Sequence, residues 1–143
     1  MRTPIFSVLL LTSFLPAQDV PRPSDVAAKG APFIGKRVTW VGKQVRISTT
    51  LINKERVVTN RVFALLDAQG KEDRTQVFAV EGKVMETEAA LKLNAPGDQG
   101  VRRVTGVISA VGDIDVYVDG KPGKVLGPKL TGALIDAKLD VTP

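Results

Sequence analysis

The chain has 143 residues, a hydrophobic share of 43% and a formal net charge of +5, which together predict one basic domain with a sizeable core. It contains neither cysteine nor histidine. Their absence excludes disulfides, Ser-His-Asp and Cys-His catalysis, zinc sites of the usual kind and haem bound through histidine. We therefore expect a protein that binds rather than catalyses, and we predict no catalytic residue, no metal site and no cofactor.

The first 17 residues have the three parts of a secretory signal peptide. Arg2 gives a positive start, residues 5–15 form an apolar or hydroxyl-bearing run, and Ala17 is a small residue at the predicted cleavage point. A spanning helix needs about 20 apolar residues, so this run is too short to be a stable anchor. The pattern predicts an exported protein, periplasmic or extracellular, after the leader is removed.

The next segment, residues 18–32, holds prolines, a glycine and several charges without a sustained period. Such a composition is typical of a loop or linker. We therefore predict a flexible linker here and a folded domain over residues 33–143.

The first strand is predicted over residues 36–49, and its apolar positions change parity along the way. Val38 and Trp40 share one parity, whereas Val45 belongs to the other. Alternate residues of a strand face opposite sides, so such a change needs an extra residue in the ladder. We predict a bulge and a sharp bend at Gly42, with the two halves of one long strand serving two sides of a core.

The middle of the chain predicts a β-hairpin followed by a helix. Residues 51–56 are interpreted as a polar connection, and residues 57–68 and 74–80 as the second and third strands. Residues 84–93 are rich in good helix formers, with apolar side chains four positions apart. This segment is the one helix that the sequence predicts with a clear pattern.

The last part of the chain predicts further strands. Residues 100–111 form a strand with a central glycine, Gly106, and residues 114–118 alternate cleanly. Residues 119–123 contain Asp-Gly and Pro-Gly and predict a turn. The closing strand is predicted over residues 128–141.

This order of elements is that of an OB-fold, a five-stranded Greek-key barrel with a helix between strands 3 and 4. Gly42 and Gly106 fit it, because a small barrel must coil its strands sharply and glycines make the corners. We predict a mostly β protein: a five-stranded OB-fold-like Greek-key barrel with one short helix between strands 3 and 4.

Three stretches also resemble bacterial OB-fold families of the tRNA-anti-like group. They are residues 35–43 (GKRVTWVGK), 96–107 (PGDQGVRRVTGV) and 128–133 (PKLTGA). The resemblance lies in the spacing of valine and glycine and extends over about residues 33–141. It implies an exported OB-fold domain, in which residues 114–118 are a departure interpreted as an elaborated loop between the last two strands.

OB-folds bind oligonucleotides or oligosaccharides on the face of strands 2 and 3, helped by flanking loops. Trp40, Phe63 and Phe78 lie in apolar strands and are expected in the core, which leaves Tyr117 as the candidate exposed aromatic platform. Basic residues supply the rest of a predicted surface. The candidate ligand-binding residues are Lys43, Arg46, Arg61, Arg102 and Tyr117.

Two of the charged features have simpler interpretations. Arg102 and its neighbour Arg103 open a strand, where a solvated edge charge that prevents sheet aggregation is the more frequent role. Asp113, Asp115 and Asp119 resemble an oxygen-rich calcium loop, but their spacing is not that of an EF-hand. We interpret these aspartates as ordinary turn residues.

The leading functional hypothesis is a non-catalytic exported binding module whose partner is a protein or an envelope polymer. The alternative is a single-stranded nucleic-acid-binding protein, motivated by fold analogy and basic charge. A third hypothesis is an enzyme that uses carboxylates or a Ser-Lys pair. The sequence does not identify the ligand or the oligomeric state.

Overall fold

A computed structural model describes residues 20–81, 92–93 and 95–139 of the chain, and it describes only the backbone of residue 137. A short helix precedes the strands, and a single 3-10 turn (Ala31–Phe33) joins it to them. The described elements are α1 (Pro23–Lys29), β1 (Arg37–Ile52), β2 (Glu55–Leu66), β3 (Glu72–Glu81), β4 (Val101–Val118) and β5 (Lys121–Lys138).

The five strands close into a barrel in the order β1-β2-β3-β5-β4. β3 and β5 pair in parallel, and all other neighbours pair antiparallel. This is the OB-fold-like Greek-key barrel that the sequence predicts, and the predicted fold class is confirmed. The predicted helix over residues 84–93 lies almost entirely outside the described residues, although Leu93 is described and is buried in the core. None of the described helices is long and apolar enough to cross a membrane.

β1 changes partner at the glycine that the sequence singles out. Gly42 pairs with Arg102 of β4 and with Leu65 of β2, so the two halves of the strand do serve two sides of the barrel. A side chain has no room there, since a Cβ on Gly42 would lie 2.8 Å from the carbonyl oxygen of Ala64. The predicted bulge at Gly42 is wrong, because a residue paired on both sides leaves no place for an extra one. The register instead shifts between Gln44 and Arg46 and again after Ser48.

Both long hairpins turn more tightly than the sequence predicts. Asn53 (φ 52°) and Lys54 (φ 70°) alone connect β1 to β2, so the predicted connection over residues 51–56 is wrong outside those two. Asp119 (φ 51°) and Gly120 (φ 78°) form the second turn. Two consecutive left-handed residues match the twist of the flanking strands, which lets the ladders continue up to the turn.

β4 and β5 are each longer than predicted. Residues 100–111 and 114–118 belong to one continuous strand, and β5 begins at Lys121 instead of residue 128. Pro122 and Pro128 are accommodated because β3 pairs with β5 only at Lys129 and Leu130. Proline is tolerated in a strand where its missing N–H faces no neighbour.

The segment predicted as a linker over residues 18–32 contains α1, and the prediction is wrong for the described residues 20–32. Pro23 and Val26 are buried, and Val26 belongs to the cluster inside the barrel. Ser24 exchanges hydrogen bonds with the side chain of Gln76 at 2.9 and 2.7 Å. The indole N–H of Trp40 donates to the carbonyl oxygen of Pro21 at 2.8 Å. The helix is therefore part of the folded unit.

The barrel interior is a continuous apolar core with aromatic residues near its centre. Trp40, Phe63 and Phe78 are buried as predicted. Ring centroids are 4.9 Å apart for Trp40 and Phe78 and 5.5 Å apart for Phe63 and Phe78. Aromatic pairs at these separations add about 0.5–1.5 kcal/mol beyond the burial of their area.

Candidate ligand-binding surface

The outer face of β2 and β3, which OB-folds use for ligands, is covered by the protein itself. Phe63 and Phe78 point into the barrel, so their neighbours along the strands point outward. Those outward residues are nevertheless buried, because they form a second apolar cluster with the far end of the β4–β5 hairpin. The cluster consists of Val62, Ala64, Val77, Ala79, Ile114 and Val116, with Val45 and Val125 packed against it.

We call the covering segment, residues 112–127, the arm. It begins and ends at Gly112 and Gly127, which pair with each other. Gly127 lies so close to β3 that a Cβ there would be 2.6 Å from the carbonyl oxygen of Val77 and 2.9 Å from Ile114. The predicted elaborated loop between the last two strands is therefore a packed hairpin, and it occupies the place where a ligand would contact β2 and β3.

A small cleft remains where the arm meets the barrel. Its volume is about 60 Å³, whereas small-molecule sites usually measure about 300–1,000 Å³. It has room for ordered water, which needs at least about 10–15 Å³ of such space per molecule. Its polar lining is Ser48, Asn60, Asp113, Asp115 and Lys129.

The tip of the arm brings together three of the predicted site residues. Tyr117 is 44% exposed, and the Arg46 guanidinium carbon lies 4.8 Å from the centroid of its ring. The backbone oxygen of Tyr117 accepts a hydrogen bond from Arg74 at 2.9 Å. Glu72 forms ion pairs with Arg74 at 2.7 Å and with Lys43 at 3.5 Å. Lys43, Arg46, Glu72, Arg74 and Tyr117 form what we call the arm-tip surface.

This surface offers an aromatic ring and more cations than carboxylates. A guanidinium over a tyrosine ring is held by the ring quadrupole and presents a flat, partly apolar plane beside a charge. Arg74 was not among the predicted site residues. Nothing in the sequence indicates it, because Arg74 meets Tyr117 only when the arm folds back across 43 positions of the chain.

Arg102 does not lie on this surface. Its side chain is fully buried, and its two terminal nitrogens donate to the two carboxylate oxygens of Asp98 at 3.0 and 2.6 Å. The hydrogen bond from Arg102 lowers the pKa of Asp98, and the Gly100 N–H acts in the same direction. Both predicted roles for Arg102, ligand contact and solvated edge charge, are wrong. Its neighbour Arg103 is exposed, but it pairs with Val41 of β1 in a strand that has β5 on its other side, so it is not an edge residue either.

Arg61 is also withdrawn from the surface. It is 8% exposed, and it donates a hydrogen bond to the side-chain oxygen of Gln44 at 2.9 Å. Arg61 has the same parity as Phe63 in β2, which explains why it points toward the interior. The structure thus brings together Lys43, Arg46 and Tyr117 and leaves Arg61 and Arg102 apart.

The three aspartates near the second turn do not act as a group. Asp113 and Asp115 lie within β4, and only Asp119 is in the turn. Asp115 forms an ion pair with Lys124 across the arm at 2.9 Å. That hydrogen bond lowers the pKa of Asp115 and raises the pKa of Lys124. Within residues 20–81, 92–93 and 95–139, no cluster of three or more acidic side chains is arranged to hold a metal ion.

Comparisons with protein-family models, with curated proteins and with solved structures found no match. The class of this protein is therefore defined by its fold: a closed, five-stranded, OB-fold-like barrel with an arm packed over the outer face of β2 and β3.

Proposed function

We propose that this chain is a non-catalytic, exported binding module whose partner is a protein or a polymer of the cell envelope. The observation that carries the proposal is the arm-tip surface, where the stacked pair of Arg46 and Tyr117 lies beside Arg74 and Lys43. Removal of the leader, which contains Arg2, reduces the net charge from +5 to +4, and this positive excess favours anionic partners. The leader-like first 17 residues and the resemblance to exported tRNA-anti-like families support export.

The cleft beside the arm is too small to hold the partner, so the proposal depends on the outside of the arm. About 60 Å³ suits ordered water and not a sugar or a nucleotide. A partner would instead contact the outside of the arm, where aromatic and arginine side chains are the types most often found at the energetic centre of interfaces.

Site-specific photo-crosslinking in cells that export the protein tests this proposal. Tyr117 is replaced by p-benzoylphenylalanine, which keeps an aromatic ring at the arm tip. Leu134 of β5, which is 39% exposed, receives the same residue as the matched control. We expect an adduct from position 117 that is lost in the Arg46→Gln background, and none from position 134.

The chemistry of the adduct identifies the partner class. A protein partner gives an adduct sensitive to protease, whereas an envelope polymer gives one released by a cell-wall hydrolase. No adduct from position 117, or equal adducts from both positions, would contradict the proposal.

Single-stranded nucleic acid is the second candidate, because a basic surface with an aromatic platform is what such binding requires. The arm argues against it by covering the face of β2 and β3. Fluorescence anisotropy with a labelled oligothymidine at about 50 and 200 mM salt separates the two, since phosphate contacts weaken as salt rises. Affinity that is absent at the lower salt removes this candidate.

A further inference from the structure

Among the described residues, no strand lies beside one edge of the β1–β2 hairpin. β4 pairs with β1 only as far as Lys43, and no other described strand pairs with that side of β1 between Arg46 and Ile52. A free edge presents unpaired N–H and C=O groups that can accept another strand. Proteins usually blunt such edges with charge, proline or bulges.

The last part of this edge is not protected by its composition. Residues 47–52 read Ile-Ser-Thr-Thr-Leu-Ile and contain no charge, proline or glycine. Leu51 is 63% exposed and Ile52 is 51% exposed. Both register shifts of β1 lie before Thr49, so the segment from Thr49 to the turn is a regular strand. A segment of this kind is predisposed to pair with another strand.

The register shows which backbone groups are free. Because the turn has two residues, Ile52 and Glu55 exchange hydrogen bonds across the hairpin, and alternate pairs do the same. Thr50, opposite Val57, therefore bonds to β2. The N–H and C=O groups of Thr49 and Leu51 point away from β2, toward the free side.

We propose that this edge pairs with the same edge of a second copy of the chain to form a two-fold symmetric dimer. The pairing is antiparallel, with Thr50 opposite Thr50 of the second copy on the symmetry axis. Thr49 of each copy then lies opposite Leu51 of the other, so all the outward groups of these residues are satisfied. The two hairpins, each of two strands, become one continuous sheet.

The uncharged composition is what selects a second copy over another partner. In a two-fold antiparallel pair, the residue on the axis faces its own copy and its neighbours lie close to theirs, so a charge in this segment would repel the same charge of the second copy. Residues 47–52 carry none. Threonine opposite threonine is instead a favourable cross-strand pair. This inference does not depend on the arm-tip surface.

Sedimentation equilibrium from about 1 to 200 μM tests the dimer, because association follows protein concentration by mass action. We expect a monomer–dimer equilibrium for the wild type and a shift of at least about tenfold toward monomer in Leu51→Glu. The matched control is Leu126→Lys, at a leucine of the arm that is 53% exposed. The new glutamate at position 51 faces Arg56 across its hairpin, and the new lysine at position 126 faces Asp113. Since each new charge faces a charge of the other sign, neither variant disfavours its own fold.

A cross-linking experiment tests the register. The chain has no cysteine, so Thr50→Cys introduces a single thiol on the proposed axis. Mild oxidation should give a covalent dimer rapidly, whereas Leu126→Cys should react slowly. A wild type that stays monomeric throughout, a dimer that survives Leu51→Glu, or equal rates for the two cysteine variants would overturn the proposal. The first result would leave the edge to a strand of a different protein.

Discussion

At the residue scale, burial separates two adjacent arginines. Arg102 is enclosed and forks onto Asp98, whereas Arg103 faces solvent. Side chains of successive strand residues point to opposite faces, so one charge must enter the barrel end and be neutralised there. The bidentate geometry uses both carboxylate oxygens, which is the strongest arrangement available to such a pair.

Removing the buried charge should therefore be costly. Arg102→Met leaves Asp98 without its partner and should lower the free energy of unfolding by about 3–5 kcal/mol. Arg103→Met removes an exposed arginine next to it and should change that value by less than about 0.5 kcal/mol. Urea unfolding of both variants provides the measurement. Similar losses in the two variants would show that the ion pair is not what stabilises this end of the barrel.

The same pair predicts how stability depends on pH. Since the hydrogen bond from Arg102 lowers the pKa of Asp98 in the folded state, ionised Asp98 favours folding. This contribution is fully present above the ordinary aspartate pKa of about 4 and is lost as the pH falls through the lowered value. Asp98→Asn should be less stable at neutral pH and should show a smaller further loss below pH of about 4. Parallel pH profiles for wild type and variant would contradict this assignment.

At the element scale, the arm decides which surface is open. Its inner side adds Ile114, Val116 and Val125 to the outward apolar residues of β2 and β3. Without the arm, these strands would expose an apolar face on the outside of the barrel, which a soluble domain rarely does over a large area. Because this second apolar cluster covers the barrel wall, the accessible aromatic and charged side chains lie at the arm tip instead.

Two glycines of the arm provide a matched test of that packing. A Cβ on Gly127 would collide with the Val77 carbonyl oxygen at 2.6 Å, whereas a Cβ on Gly123 would meet Val118 at an ordinary 3.4 Å. Gly127→Ala should lower the free energy of unfolding by about 1–3 kcal/mol through overpacking. Gly123→Ala should be neutral or stabilise by up to about 1 kcal/mol. Amide hydrogen exchange should show faster exchange across the arm in Gly127→Ala alone, and equal protection in both variants would contradict a tightly docked arm.

At the scale of the whole molecule, the barrel includes a segment that precedes its first strand. α1 places Val26 in the main core, and the preceding residue Pro21 accepts the indole hydrogen bond of Trp40. A barrel in which β3 and β5 pair at only two positions needs additional cover along that seam. α1 contacts both of these strands and provides it.

The segment should accordingly behave as part of the fold. Val26→Ala removes fully buried methyl groups and should lower the free energy of unfolding by about 2 kcal/mol. Val20→Ala, at a valine that is 39% exposed, should change it by less than about 0.5 kcal/mol. Denaturation followed by the fluorescence of Trp40, the sole tryptophan, gives both values. Equal effects would indicate that α1 does not contribute to the barrel.

The sequence by itself determined the fold class. Alternating apolar residues predict strands. Gly42 lies where a Cβ would be 2.8 Å from the carbonyl oxygen of Ala64, and Gly106 lies where a Cβ would be a tight 3.1 Å from the Cβ of Ala133. The exposed Tyr117 and the buried Trp40 could also be predicted, because each depends mainly on the local pattern around it.

Only the tertiary structure decided which charges are accessible and which face is covered. In the sequence, Arg46, Arg61 and Arg102 are all basic residues within predicted strands, and nothing local distinguishes them. Their partners in the fold differ, because those partners lie on other chain segments or loops whose placement no local pattern encodes. The arm likewise reaches Arg74 across 43 positions. Local periodicity specifies the direction in which a side chain points, whereas burial and partners depend on which distant segments the closed sheet brings to that side.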